Sequence, residues 1–225
     1  MKKILEYLRK NSDEKYKIFN KRIVNTKQQM IGVRVPILRK LAKQIIKENP
    51  YDFISKDKQN IYELVLLEGF VISYLDIRFK DVLPYLKDYL SKVDSWAQID
   101  SMVCSLKSIK DDKDFVYKIV KQWLKSNEEF TTRIALVILL TYFVEKRYLN
   151  DIFELSLLIN NQYYYVMMAN AWLISVCMIK YPKETKKFLK LKRLDKVIQN
   201  KAIQKSCDSY QVLQDDKDEL KNIKV

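Results

Sequence analysis

In the stretch "SWAQIDSM", residues 95–102, Trp96 and Asp100 stand four positions apart. On a helix that separation stacks the two side chains on one face, a turn apart. An indole face beside a carboxylate suits cationic ligands and cationic transition states, because the ring quadrupole attracts positive charge and the carboxylate stabilises it directly. Ser95 and Gln98 match the S-x-x-Q capping box, which predicts a helix starting at Ser95 with Trp96 in its first turn and Asp100 in its second. Asp favours helix starts, but that advantage fades after the first turn, and Asp is otherwise a poor residue for a helix interior. On the residues alone two readings stand: a binding or catalytic floor, or a packed Trp beside an Asp paired with a nearby Lys.

Arg133, in "TTRIALV", poses a similar question. Thr131 or Thr132 is the expected cap, which puts Arg133 in the first turn, where a cation opposes the helix dipole. A phosphate would compensate for that, and so would a surface ion pair with Glu128 or Glu129. Trp172, in "MMANAWLISV", follows Ala169, Asn170 and Ala171, small neighbours that let a ligand or a backbone approach its ring. An aromatic in an apolar helix also serves simply as core. Tyr163 to Tyr165, in "QYYYV", suit base stacking or packing at a helix entry. Trp96, Arg133 and Trp172 recur at about one repeat interval, and stacking repeats would align them on one surface.

The chain has 225 residues, no histidine, two glycines and four prolines. Without histidine there is no Ser-His or Cys-His triad and no ordinary near-neutral general base. Any chemistry rests on carboxylates, lysines, tyrosines or aromatic faces. Three dispersed cysteines, Cys104, Cys177 and Cys207, argue for a reducing compartment and against a disulfide scaffold or a zinc cluster. The net charge of +14 favours an anionic partner such as a nucleic acid backbone. Lys greatly outnumbers Arg, and Ile and Asn abound, a composition that AT-rich coding also produces. The N-terminal "MKKILEYLRK" lacks the apolar run of a secretion signal, and the longest apolar stretch, Ile134 to Val144, is too short to span a bilayer. A cytoplasmic protein without a membrane association, a metal or a cofactor is expected, with a monomer as the default state.

Apolar residues recur at i, i+3, i+4 and i+7 nearly throughout, in segments such as "VPILRKLAKQIIKEN", "NIYELVLLEGFVISYL", "TTRIALVILLTYFVEK" and "LNDIFELSLLIN". Short polar breaks such as "KDDKD" and "SNEE" separate them. The more apolar helix of each pair is expected to begin near residues 60, 95, 130 and 167, a spacing of roughly 35 residues that fits stacked helical hairpins. The fold class is therefore all-α, an α-α superhelix or solenoid of helical-hairpin repeats. It is expected to be a single domain over 1–225, with about 214–225 a solvated cap or tail.

"MIGVRVPILRKLAK", "SWAQIDSMV", "TTRIALV", "YYYVMMANAWLIS" and "NKAIQKSCDSY", in that order and spacing, resemble the AlkD-like family of DNA alkylation repair proteins, the HEAT-like repeat DNA glycosylases. The resemblance extends from about Met30 to Tyr210. It implies a HEAT-like superhelix whose basic concave face cradles alkylated duplex DNA, and excision of cationic N3- and N7-alkylpurines without base flipping. The family's W-x-x-x-D motif falls on Trp96 and Asp100, its phosphate-facing arginine on Arg133 and its second cleft tryptophan on Trp172. Asp100 would be catalytic, and Trp96, Arg133 and Trp172 would bind DNA around the lesion. The chain departs from the family at Ser175 and Gln211, where its best-known members carry arginines, and its N-terminal cleft tyrosine has no clear counterpart before Met30. The alternative is a catalytically inactive helical-repeat module that binds structured or branched DNA, or another macromolecule, through the same face.

Overall fold

A computed structural model describes residues 1–110, 112–159 and 163–225. Asp111 of the "KDDKD" break, Asn160 at the end of "LNDIFELSLLIN" and Gln162 of "QYYYV" lie outside the described residues. Among the described residues the secondary structure is helical, apart from an isolated bridge between Gln29 and Ile61. The chain forms two compact units, Met1–Val116 and Tyr117–Val225, and the boundary falls within a helix.

The first unit contains α1 (Lys2–Lys10), α2 (Glu14–Val24), α3 (Val35–Glu48), α4 (Pro50–Ser55), α5 (Tyr62–Tyr74), α6 (Phe79–Leu90), α7 (Trp96–Val103) and the start of α8 (Lys113–Trp123). Its centre is α5, which packs against α3 on one side and α7 on the other. Twelve of the thirteen residues of α5 are buried, so its sequence is apolar nearly all round rather than along one stripe. The polar exceptions have partners. The buried Glu63 carboxylate accepts the backbone N–H groups of Ile31, Gly32 and Val33 at 2.9, 2.7 and 3.3 Å, and so fixes the segment leading into α3.

Both glycines mark close approaches. Gly32 has φ +99°, and a Cβ there would stand 2.6 Å from the Lys17 Cβ of α2. Gly69, in the middle of α5, makes room for the fully buried Tyr89 of α6, whose Oη would lie 2.6 Å from an added Cβ. That tyrosine donates to the Gln98 carbonyl of α7 at 3.1 Å. A missing side chain on α5 thus lets α6 hold α7 in place.

The second unit holds the rest of α8, then α9 (Glu129–Ile138), α10 (Leu149–Leu158), α11 (Tyr164–Lys180), α12 (Pro182–Lys190), α13 (Lys196–Asp208) and α14 (Gln214–Lys221). Helix α11 packs between α9 and α13. Residues Leu139–Phe143 continue α9 as a π-helical turn, and residues 134–140 are all buried. The apolar run from Ile134 is therefore core, and no helix among the described residues is long and apolar enough to cross a membrane. Residues 214–221, expected within a solvated cap or tail, form α14, which buries Leu220. Lys186 and Lys190 of α12 reach its Asp216 and Glu219 at 2.7 and 2.6 Å.

The helices expected to begin near 60, 95, 130 and 167 start at Tyr62, Trp96, Glu129 and Tyr164. Within each unit, alternate helices pack on one another, α3 on α5 and α5 on α7 in the first, α9 on α11 and α11 on α13 in the second.

Candidate active site

Helix α7 carries Trp96 and Asp100 and has only eight residues, too few to hold itself together in water. Its position comes from both of its ends. At the N-terminus Ser95 caps as expected, its hydroxyl accepting from Ala97 N at 3.3 Å and donating to the Val24 carbonyl at 3.0 Å. Gln98 closes a variant of the capping box, since its side-chain oxygen accepts from Asp94 N at 3.2 Å rather than from the cap residue's own N–H. Its amide nitrogen donates to Gln28 Oε1 at 2.6 Å. Asp94 accepts the Thr26 hydroxyl at 2.6 Å and Lys27 N at 2.8 Å. The Trp96 indole N–H donates to the Ile23 carbonyl at 3.3 Å.

These bonds satisfy carbonyls at the end of α2 that no intrahelical N–H reaches. They also fix the plane of the Trp96 ring. Trp96 and Asp100 are both half-buried, neither sunk in the core nor fully solvated. Ile99, Met102 and Val103 supply the apolar side of α7.

At the other end Arg39 of α3 reaches across to α7. Its guanidinium donates to the Ser101 carbonyl at 3.2 Å, to the Ser105 hydroxyl, and to the Tyr74 hydroxyl at 3.1 Å. It also lies 4.3 Å from the Phe70 ring centroid. A cation at the helix C-terminus complements the dipole and takes up a free carbonyl. The Cys104 thiol sits in the same neighbourhood, exposed on the turn after Asp100. Desolvation first, and the Asp100 carboxylate second, push that thiol above its ordinary range, while the Arg39 guanidinium opposes them.

In the second unit the structure corrects one expectation. Helix α9 begins at Glu129 with Glu128 at its N-cap position, not at Thr131 or Thr132, so Arg133 stands in its second turn. The Glu128 carboxylate accepts the Thr131 hydroxyl at 2.9 Å, and the Thr132 hydroxyl donates to the Ser126 carbonyl. The sequence signal misled because both threonine hydroxyls bond back to the preceding turn instead of accepting from N–H groups of the new helix. Arg133 is 4% exposed and donates to the Tyr165 carbonyl at the start of α11, so it is not a surface side chain.

Trp172 is half-buried in α11. The small residues before it have structural work: Ala169, Asn170 and Ala171 are buried, and Asn170 donates to the Ser156 carbonyl at 3.0 Å. Ser175 is also buried and donates back to the Trp172 carbonyl at 2.7 Å, while Gln211 is exposed. Of the tyrosines at the helix entry, Tyr163 and Tyr164 are 46% and 61% exposed.

Within the first unit, then, Trp96 and Asp100 share one anchored helix, and within the second Arg133 is tied to the helix that bears Trp172. Among the described residues no group of three or more acidic or thiol side chains could hold a metal ion. The sequence profile of the family described as DNA alkylation repair enzyme matches residues 4–206. The chain belongs to that family. The match runs through both units, so the DNA alkylation repair family embraces α7, α9 and α11 together with the helices that support them. No curated protein matches the chain. Sequence reasoning missed Arg39, Gln28 and Asp94 as supports of α7 in this DNA alkylation repair protein, because their partners lie 60 to 70 residues away and carry no local signature.

Proposed function

We propose that the chain is a DNA glycosylase that excises cationic N3- and N7-alkylpurines from duplex DNA without base flipping, with Asp100 as its catalytic residue. The observation that carries this reading is the placement of Trp96 and Asp100, a turn apart and half-buried, on a helix anchored at both ends in a chain of the DNA alkylation repair family. The net charge of +14 supports a polyanionic partner.

The chemistry needs little from the protein. An alkylated purine that already carries positive charge is a good leaving group, so no general acid is required, in keeping with a chain that has no histidine. The C1′–N bond breaks and its electron pair leaves with the purine, neutralising it. Oxocarbenium-like charge is left on the deoxyribose, as in glycoside hydrolysis. The Asp100 carboxylate stabilises that charge and positions the water that adds to C1′. The products are the free base and an abasic site, and the water's proton passes to solvent. The face of Trp96, on the same helix as Asp100, favours the cationic sugar.

The test is base release from a duplex bearing one 7-methylguanine or 3-methyladenine. Asp100→Asn should slow single-turnover release by on the order of 100-fold while duplex affinity changes little. Equal rates would remove Asp100 from the chemistry.

A second reading, a non-catalytic DNA-binding module, is favoured by specific observations. Ser175 is buried and Gln211 neutral where backbone-clamping arginines would stand, and Arg133 is engaged with a protein carbonyl. Duplex binding without any base release by the wild type would select it.

A further inference from the structure

Helix α2 exposes an unusual amount of apolar surface for an eleven-residue element. Ile18, Phe19 and Ile23 are 51%, 60% and 45% exposed. Phe19 and Ile23 are four residues apart and so form one strip along the helix, while Ile18 stands about 100° round from Phe19. Lys15 and Arg22 are exposed and fall between Ile18 and Phe19 on the helical wheel. The buried side of α2 is the other one, where Val24 packs inward and Asn20 donates to the Met30 sulfur.

The strip ends beside the candidate active site. The Ile23 and Val24 carbonyls accept from the Trp96 indole and the Ser95 hydroxyl at 3.3 and 3.0 Å. A duplex that reaches the Trp96 ring therefore meets the C-terminal end of α2. Large apolar side chains bordered by cations fit one kind of occupant well: a minor groove, where the cations meet phosphates and the apolar groups meet sugar faces or wedge against a base step.

We propose that the outer face of α2 is a DNA-contacting surface, with Phe19 and Ile23 lying against the minor-groove edge of the duplex and Lys15 and Arg22 on its phosphates. This surface rests on the DNA-directed reading of the chain and extends it to residues outside the Trp96 and Asp100 motif. Its apolar part acts without counter-ion release and its basic part through it, so the two contributions separate by salt.

The experiment titrates the full chain with a duplex, unmodified or bearing 7-methylguanine, across a salt series. Phe19→Ser with Ile23→Ser should weaken binding on the order of tenfold and leave the salt slope unchanged. Lys15→Gln with Arg22→Gln should make the slope of log affinity against log salt shallower by about 1.8. All four positions are exposed, so circular dichroism and thermal melting should match the wild type. Unchanged affinity and slope in both variants, with the wild type binding DNA, overturns the surface while the glycosylase reading stands. Failure of the wild type to bind any duplex overturns the reading beneath it. A concentration-dependent dimer that Phe19→Ser dissociates, with DNA affinity untouched, assigns the strip to a second copy of the chain and overturns the proposal.

Discussion

Trp96 donates its indole N–H to the Ile23 carbonyl, so it meets any ligand through its ring face and not as a hydrogen-bond donor. That orientation suits a cationic sugar or base and does nothing for a phosphate. Asp100 reports its own charge through Cys104, one turn on, whose thiol it helps to push above the ordinary range after desolvation. Removing the carboxylate must therefore favour the thiolate. Asp100→Asn should raise the rate at which iodoacetamide labels Cys104 at pH 8, by a few-fold at most given its partial exposure. An unchanged or slower rate would mean that Asp100 is not ionised beside the thiol. The buried Cys177, whose thiol burial pushes up to about 12, should stay unlabelled until the chain unfolds and serves as the internal control.

At the level of elements, α7 illustrates how a short helix becomes a rigid platform. Its N-terminus is held by the α2 carbonyls and by Gln28, its centre by Tyr89, and its C-terminus by Arg39. Gly69 is the hidden member of this arrangement, since a methyl there would collide with Tyr89 at 2.6 Å. Alanine is favoured over glycine in a helix by about 1 kcal/mol, so Gly69→Ala would stabilise an unencumbered α5. In a packed core the overlap wins: the substitution should cost about 1–3 kcal/mol net and lower the melting temperature by several degrees. Because Tyr89 carries the strain to α7, the base release proposed for the chain should fall as well. A variant as stable and active as the wild type would show that Tyr89 has room to yield. Capping marked the beginning of α7 in the sequence, whereas the same logic misplaced the start of α9, where Thr131 and Thr132 bond backward and Glu128 leads the helix.

For the molecule as a whole the question is what the charge of +14 is for. A lysine-rich composition has a mundane source in AT-rich coding, and charge alone does not name a partner. Membership of the DNA alkylation repair family makes DNA the partner to test. If the charge serves phosphate neutralisation, affinity for an unmodified duplex should fall steeply between 50 and 200 mM salt, by about 10³ for six phosphate contacts. Neutral residues at Ser175 and Gln211 predict a shallower dependence than in a variant that restores arginine at the exposed Gln211. A flat response in the wild type would make the lysines compositional.

The sequence alone determined the helical class, the approximate starts of the successive apolar helices and the pairing of Trp96 with Asp100, because helical periodicity, capping and i, i+4 geometry are local and survive in a string of letters. It could not reveal that Arg39, Gln28, Asp94 and Ile23 converge on α7, that Gly69 exists to admit Tyr89, or that Arg133 turns inward to the Tyr165 carbonyl. Those facts depend on which side chains meet across tens of residues. Such meetings are decided by the joint packing of whole helices, and no single segment records them.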